Sequence, residues 1–125
     1  MLKKTVERLF KAEGKRLNSM SYIFSTDENL RNINRQYLKR DYYTDIITFD
    51  LSENEEAISG ESYISVDRLK ENALKLGMPF REELWRLVLH GALHLCGYND
   101  KTEMQRLQMR KRESHYISIL LRGST

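Results

Sequence analysis

The stretch from Leu84 to Leu95 is apolar on nearly every side, with Leu84, Trp85, Leu87, Val88, Leu89, Ala92, Leu93 and Leu95 spread round the whole helical circumference. A helix of that kind is stable in water only when other elements wrap it. The chain has 125 residues, enough for one domain (1–125) with a real core and too few for two. Everything else must therefore be arranged around this helix, which Pro79 opens, with Glu82 and Glu83 in the first turns favouring the positive end of its dipole.

The remaining periodicities alternate. Val6, Leu9 and Phe10 mark an amphipathic helix stopping near Gly14, and Ser21 to Ser25 reads as a short strand. Thr26 or Asp27 caps a second helix with Leu30, Ile33 and Tyr37 as its buried stripe. Thr44 to Leu51 has period two, as expected of a strand covered by helices on one side. Glu53 to Gly60 is a polar loop, through which Glu61 to Val66 pairs back as a hairpin. Asp67 is the expected cap of a helix carrying Leu69, Ala73 and Leu76 and ending at Gly77. Thr102 and Gln105 have capping-box spacing for a closing helix with apolar positions Met104, Leu107, Ile117, Leu120 and Leu121; Met104 and Met109 read as core filler. The expected fold class is α+β, a small mixed β-sheet packed against helices with a central buried helix.

That central helix ends in His90-Gly-Ala-Leu-His94-Leu-Cys-Gly97-Tyr-Asn-Asp100. Histidines at i and i+4 share one helical face and can share a divalent cation. Gly97 allows the left-handed turn that folds the chain back, and Asp100 then returns towards the rings as the third of the ligands a catalytic zinc usually takes from protein. Two buried histidines hydrogen-bonded to backbone carbonyls would be the simpler explanation, but they would not require the glycine and the acid at these positions. Cys96 is better read as a small buried hydrophobe than as a ligand or nucleophile. A cation at His90, His94 and Asp100 makes hydrolysis the natural chemistry. Zinc peptidases place a glutamate directly after the first histidine as general base, and here that position is Gly91, which argues against a metallopeptidase.

The formal charge is +3, with basic residues gathered in the first and last segments and acids in the middle. Such ends suit phosphates but are equally typical of solvated helix faces. One cysteine excludes an internal disulfide, and no stretch reads as a signal peptide or membrane span, so a reducing, cytoplasmic location is expected.

The segment His90 to Asp100, together with Thr44-Asp45-Ile46-Ile47-Thr48-Phe49 and Gly60-Glu61, resembles the YbeY family of bacterial rRNA-maturation endoribonucleases. The family's pattern is His-Gly-x-Leu-His-Leu-x-Gly-Tyr-Asp-His, preceded by Thr-Asp-Val-Leu-Ser-Phe-type and Gly-Asp-Ile-type strands. The resemblance implies one bound zinc per chain and a single-strand-specific, metal-dependent endoribonuclease role in 16S rRNA 3′ end maturation and ribosome quality control. Ribosomal RNA and the small ribosomal subunit would be its partners. It implies His90 and His94 as ligands, with Asp100 replacing a third histidine. Leu38 stands where the family usually has an arginine, leaving Arg35, Lys39 or Arg40 as possible substitutes on the RNA, with Tyr98 the favoured stacking aromatic ahead of Tyr42 and Tyr43. Glu61 replaces an aspartate, and the family's opening strand has no counterpart ahead of Lys3, so the sheet is expected to be one strand short or the start to be placed too late. The catalytic base is not identified from the sequence. The alternative in another class is a non-catalytic, zinc-binding, ribosome-associated factor.

Overall fold

Alternation and helical period assemble into five helices and one three-stranded sheet in a computed structural model that describes residues 2–123. Helix α1 (Leu2–Ala12) turns Val6, Leu9 and Phe10 inward, as its period requires. Strand β1 (Leu17–Ser25) is longer than its apolar part, because Leu17, Ser19 and Met20 extend it by pairing with the next strand of the sheet; Asn18 sits in a register shift between them, its side-chain amide donating to Ser59 Oγ at 2.8 Å. Strand β2 (Ile46–Asp50) runs antiparallel to β3 (Ile58–Ser65), and β1 runs parallel to β3, giving a mixed sheet in the order β1-β3-β2. The expected hairpin is present. Its second strand begins at Ile58 rather than Glu61, because the backbone of Ile58 already bonds to Arg16 ahead of β1.

The sheet is covered on both faces rather than one. Helix α4 (Phe80–Leu95) lies against Ile46, Thr48 and Ser62, whereas Phe49 points the other way and meets Tyr37 of α2 (Asp27–Tyr37), ring centroids 6.1 Å apart. Alternating apolar residues on both faces of β2 carried this information, but only docking of α2 reveals that the second face has a partner. Within α2, capped by Thr26, the stripe also differs from its expected form. Leu30 is buried, Ile33 is half-buried and Tyr37 is 64% exposed, while the polar Asn34 takes the fourth-residue position inside. Burial of Asn34 is compensated by hydrogen bonds: its side chain donates to the carbonyl of Tyr42 at 3.0 Å, and its own carbonyl accepts from Leu38 and Arg40. This residue thus shapes the 38–42 segment that borders the site.

Helix α3 (Val66–Leu76) is capped by Ser65, whose hydroxyl accepts from the backbone of Arg68 at 3.1 Å. Asp67, the expected cap, lies two residues too late and instead accepts from the backbone N–H of Asp27 at 3.0 Å, joining α3 to the start of α2. Helix α5 (Glu103–Gly123) has the expected capping box, with Gln105 N–H on Thr102 Oγ1 and the Gln105 side chain on the backbone of Lys101 and Thr102. Its buried stripe is Met109, Glu113, Tyr116 and Leu120; Met104 and Leu107 are exposed, since the first turns of α5 run past the body of the protein, and Leu121 lies at the stripe's margin. Leu87, Val88, Leu89, Ala92 and Leu93 of α4 sit at the centre of the core as the sequence requires.

Gly91 is where α4 touches the sheet. A Cβ there would meet Ser62 Oγ at 2.7 Å and Thr48 Oγ1 at 2.9 Å, two hydroxyls already 2.8 Å from each other and anchored to neighbouring strands. Gly91→Ala is therefore expected to destabilise the fold by about 1–3 kcal/mol through overpacking, seen as a lower urea midpoint; an unchanged midpoint would contradict flush packing of α4 on the sheet.

Candidate metal centre and its cleft

The last turns of α4 place His90 and His94 side by side, ring centroids 5.0 Å apart and planes at 86°. The helix stops at Cys96, and Gly97, at φ 105°, adopts a backbone conformation that side chains rarely tolerate and turns the chain back. Asp100 consequently returns over the two rings. Its Oδ2 lies 3.2 Å from His90 Nε2 and 3.4 Å from His94 Nε2. Donor atoms bound tetrahedrally to a zinc-sized ion at bond lengths of ~2.0–2.1 Å are roughly 3.3 Å apart. The spacing and the two-nitrogen, one-oxygen donor set therefore fit such a cation, and all three donor atoms lie within 4.8 Å of one another.

The orientation of His90 is fixed from behind. Its Nδ1 is 2.6 Å from Glu113 Oε2, so Glu113 accepts from Nδ1 and Nε2 is the nitrogen left facing Asp100 as a potential ligand. Glu113 is only 2% exposed, and its second oxygen, 3.6 Å from Arg86 Nη1, has no hydrogen bond. Arg86 is held in turn by both oxygens of the fully buried Glu83, at 2.7 and 2.6 Å. Glu83 thus does more than favour the helix dipole. Asn72 continues the network, donating to Glu83 at 3.4 Å and to Asp45 at 3.2 Å. Burial works against charge on His90, but Glu113, Asp100 and Asp45 outweigh it, and the pKa is raised above the ordinary histidine value. A proton and a cation would compete for the same Nε2, so binding of a cation at this centre is expected to weaken as pH falls.

A cleft of about 450 Å³ opens onto His90, His94 and Asp100. Arg40 and Lys101 line it, Arg40 with its guanidinium 3.1 Å from the Tyr42 hydroxyl. Leu38 and Tyr42 also face it. Arg35 does not: it donates to Asn32 and lies 3.8 Å from Asp41. Lys39 is exposed beside the cleft without lining it, at φ 54°. Tyr98 turns away from the cleft, its hydroxyl donating to Glu13 at 2.8 Å. Glu13 also accepts from Arg112 at 2.5 Å and Tyr116 at 2.9 Å; against the effect of burial, these donors hold its carboxyl below the usual range. The cluster ties the Gly97 bend to the C-terminal end of α1 and the middle of α5. Tyr43 is engaged by Arg31 and Arg68, whose guanidinium carbons lie 5.1 and 5.2 Å from its ring centroid. Glu61 accepts from Tyr63 at 2.5 Å on the sheet face away from α4, remote from the histidines. Burial, reinforced by Glu13, pushes the Cys96 thiol up to about 12, so it is no thiolate ligand or nucleophile at neutral pH.

Sequence reasoning missed Glu113, Arg86, Asp45 and Lys101. Glu113 had a readable signal: it lies four residues after Met109, inside an otherwise apolar stripe of Met109, Tyr116 and Leu120. A carboxylate on a buried helical face needs a partner inside. Which partner is a question of how α5 docks on α4, and no local pattern contains it.

A family model described as Endoribonuclease YbeY matches residues 1–120. Relatives named Endoribonuclease YbeY include those of Parabacteroides distasonis, 48% identical over 86% of this chain and 75% of the relative, and Bacteroides thetaiotaomicron, 45% identical over 85% and 77%. That of Flavobacterium psychrophilum is 43% identical over 91% and 81%. A solution structure of a Thermotoga maritima protein superposes with a TM-score of 0.68 at 29% identity, covering 98% of this chain and 83% of the other. With the histidine clamp, the strand before it and the α+β scaffold all in place, the match along nearly the whole length leaves one conclusion: this chain belongs to the YbeY family.

Proposed function

We propose that the protein is a zinc-dependent endoribonuclease specific for single strands, acting on ribosomal RNA in 16S rRNA 3′ end maturation and ribosome quality control, with the small ribosomal subunit as its partner in the cytoplasm. The observation that carries this reading is the convergence of His90 Nε2, His94 Nε2 and Asp100 Oδ2 at the floor of an open cleft. Membership of a family whose relatives are named endoribonucleases supplies the substrate class. No helix among the described residues is long and apolar enough to cross a membrane, which is compatible with the location.

A zinc-class cation supplies Lewis acidity and activates water at neutral pH. The chain's own residues do the rest. Glu113 holds His90 in the tautomer that presents Nε2. Gly97 and the Glu13 cluster set the bend that returns Asp100. Arg40 and Lys101, on the cleft wall, attract the phosphodiester backbone. A peptidase base at position 91 is excluded sterically as well as chemically, because that position is pressed against Thr48 and Ser62.

The test is incubation of zinc-loaded protein with single-stranded and duplex segments of ribosomal RNA, beside chelator-treated protein. Metal-restorable cleavage confined to single strands is the expected result. Tight RNA binding with a full zinc complement but no cleavage would replace the enzyme with a non-catalytic ribosome-associated factor, a reading supported by Leu38 on the cleft wall in place of a cation and by Asp100 in place of a third histidine.

A further inference from the structure

The space around His90 and Asp100 does not end with the cleft. Behind them is a pocket of about 100 Å³ that they share with Arg106 and Arg110 of α5. Those two arginines also line a shallow exterior groove whose other walls are Glu103, Met104 and Leu107. Three concavities thus follow one another from the metal centre out along α5, each sharing side chains with the next.

We propose that this groove is a second binding track for the sugar-phosphate backbone of single-stranded RNA, with Arg106 and Arg110 as its phosphate contacts and Met104 and Leu107 as an apolar bed for a base. The proposal rests on the RNA-directed reading above. Arg106 and Arg110 are one helical turn apart, about 6 Å along the axis, and project to the same side. That step is comparable to the separation of successive phosphates in an extended strand. Arg106 is oriented by its Nη1, which donates to the carbonyls of Asp100 at 3.3 Å and Lys101 at 3.1 Å, joining the track to the ligand-bearing turn and leaving further N–H groups free. Arg110 is exposed and has no partner among the described residues.

An arginine without a carboxylate is poised for an external anion. Met104 and Leu107 are 68% and 53% exposed, an expense of apolar surface at the rim of a charged groove that a base face would cover. Lys101, on the wall of the cleft itself, continues the positive line inward. Glu103 is the one acid in the groove and opposes an anionic strand there.

The track is tested by fluorescence anisotropy with the zinc-loaded full chain and labelled oligoribonucleotides of about 4 and about 16 nucleotides, read on mixing before turnover. Arg110→Glu is expected to weaken binding of the longer strand about tenfold or more at low salt and to leave the shorter one unchanged, at an unaltered melting temperature. Arg110→Ala should reduce the slope of log affinity against log salt by about 0.7, the loss of one phosphate contact. Glu103→Gln should tighten the longer strand. Equal affinity of Arg110→Glu and the parent for the longer strand, or equal loss on both lengths, would overturn the track. Cleavage by a parent protein whose binding ignores Arg110 overturns the track alone, whereas Arg110-dependent binding without cleavage overturns the nuclease reading alone.

Discussion

Purified parent protein is expected to hold about one zinc per chain and His94→Ala protein almost none, with RNA cleavage lost alongside the metal. Three donors converge on the centre, and removing one leaves only His90 and Asp100, too few to compete with solvent and chelators for a cation that prefers three or more protein ligands. Loss of an outer hydrogen-bond partner alone typically costs 10–100-fold in metal affinity, so deletion of a direct ligand should exceed about 100-fold. The fold should survive. His94 lies at the end of α4 with its side chain 33% exposed, outside the packed core, so circular dichroism and the melting temperature of the metal-free protein should stay close to the parent's. Metal analysis by mass spectrometry beside a cleavage assay checks both halves. Stoichiometric zinc in a folded His94→Ala protein would remove His94 from the ligand set, and with it the three-donor centre.

Glu113→Ala should have the second largest effect, through stability and metal affinity together. The Glu113 carboxylate is buried between His90 Nδ1 and Arg86, and its deletion leaves Arg86 with Glu83 as its remaining ion-pair partner among the described residues and the His90 N–H without the acceptor it now has. Breaking a buried charged network from one side costs about 3–5 kcal/mol. Against a total stability on the order of 5–15 kcal/mol that is a severe loss, and the alanine protein is expected to melt well below the parent. Glu113→Gln keeps the volume and can still accept from Nδ1, so it should fold while binding zinc about 10–100-fold more weakly, because the charge that makes His90 a better donor is gone. Chemical denaturation measures the first effect and competition with a zinc indicator the second. Parent-like stability of the alanine variant together with parent-like affinity of the glutamine variant would show that Glu113 neither supports Arg86 nor tunes His90.

Much of this architecture was legible because it is local. The clamp depends on residues within one turn of helix and one bend: helical period sets His90 beside His94, and Gly97 permits the reversal that brings Asp100 back. The buried α4 was equally plain, since no exposed helix carries leucine, valine and tryptophan on every side. Readings failed where polar residues act inside or apolar ones outside. Asn34 takes a buried place in α2 by bonding the 38–42 segment, Tyr37 gives up its expected burial, and Ser65 rather than Asp67 caps α3. Met104 and Leu107 are exposed because α5 outruns the core it packs on. Tyr98, placed by its motif near the ligands, points instead to Glu13, 85 positions away in the chain.

From the sequence alone came the family resemblance, the alternation of helix and strand, and the three donor atoms, since each is written in the spacing of neighbouring residues. The carboxylate behind His90, the helical cover on both faces of the sheet, and the selection of Arg40 and Lys101 over Arg35 and Lys39 as cleft-lining cations were decided by tertiary structure. Backbone periodicity specifies which side of an element is apolar. How far that element is rotated and slid when it docks determines which polar groups end within 3 Å of one another, and that is settled by packing across the whole molecule.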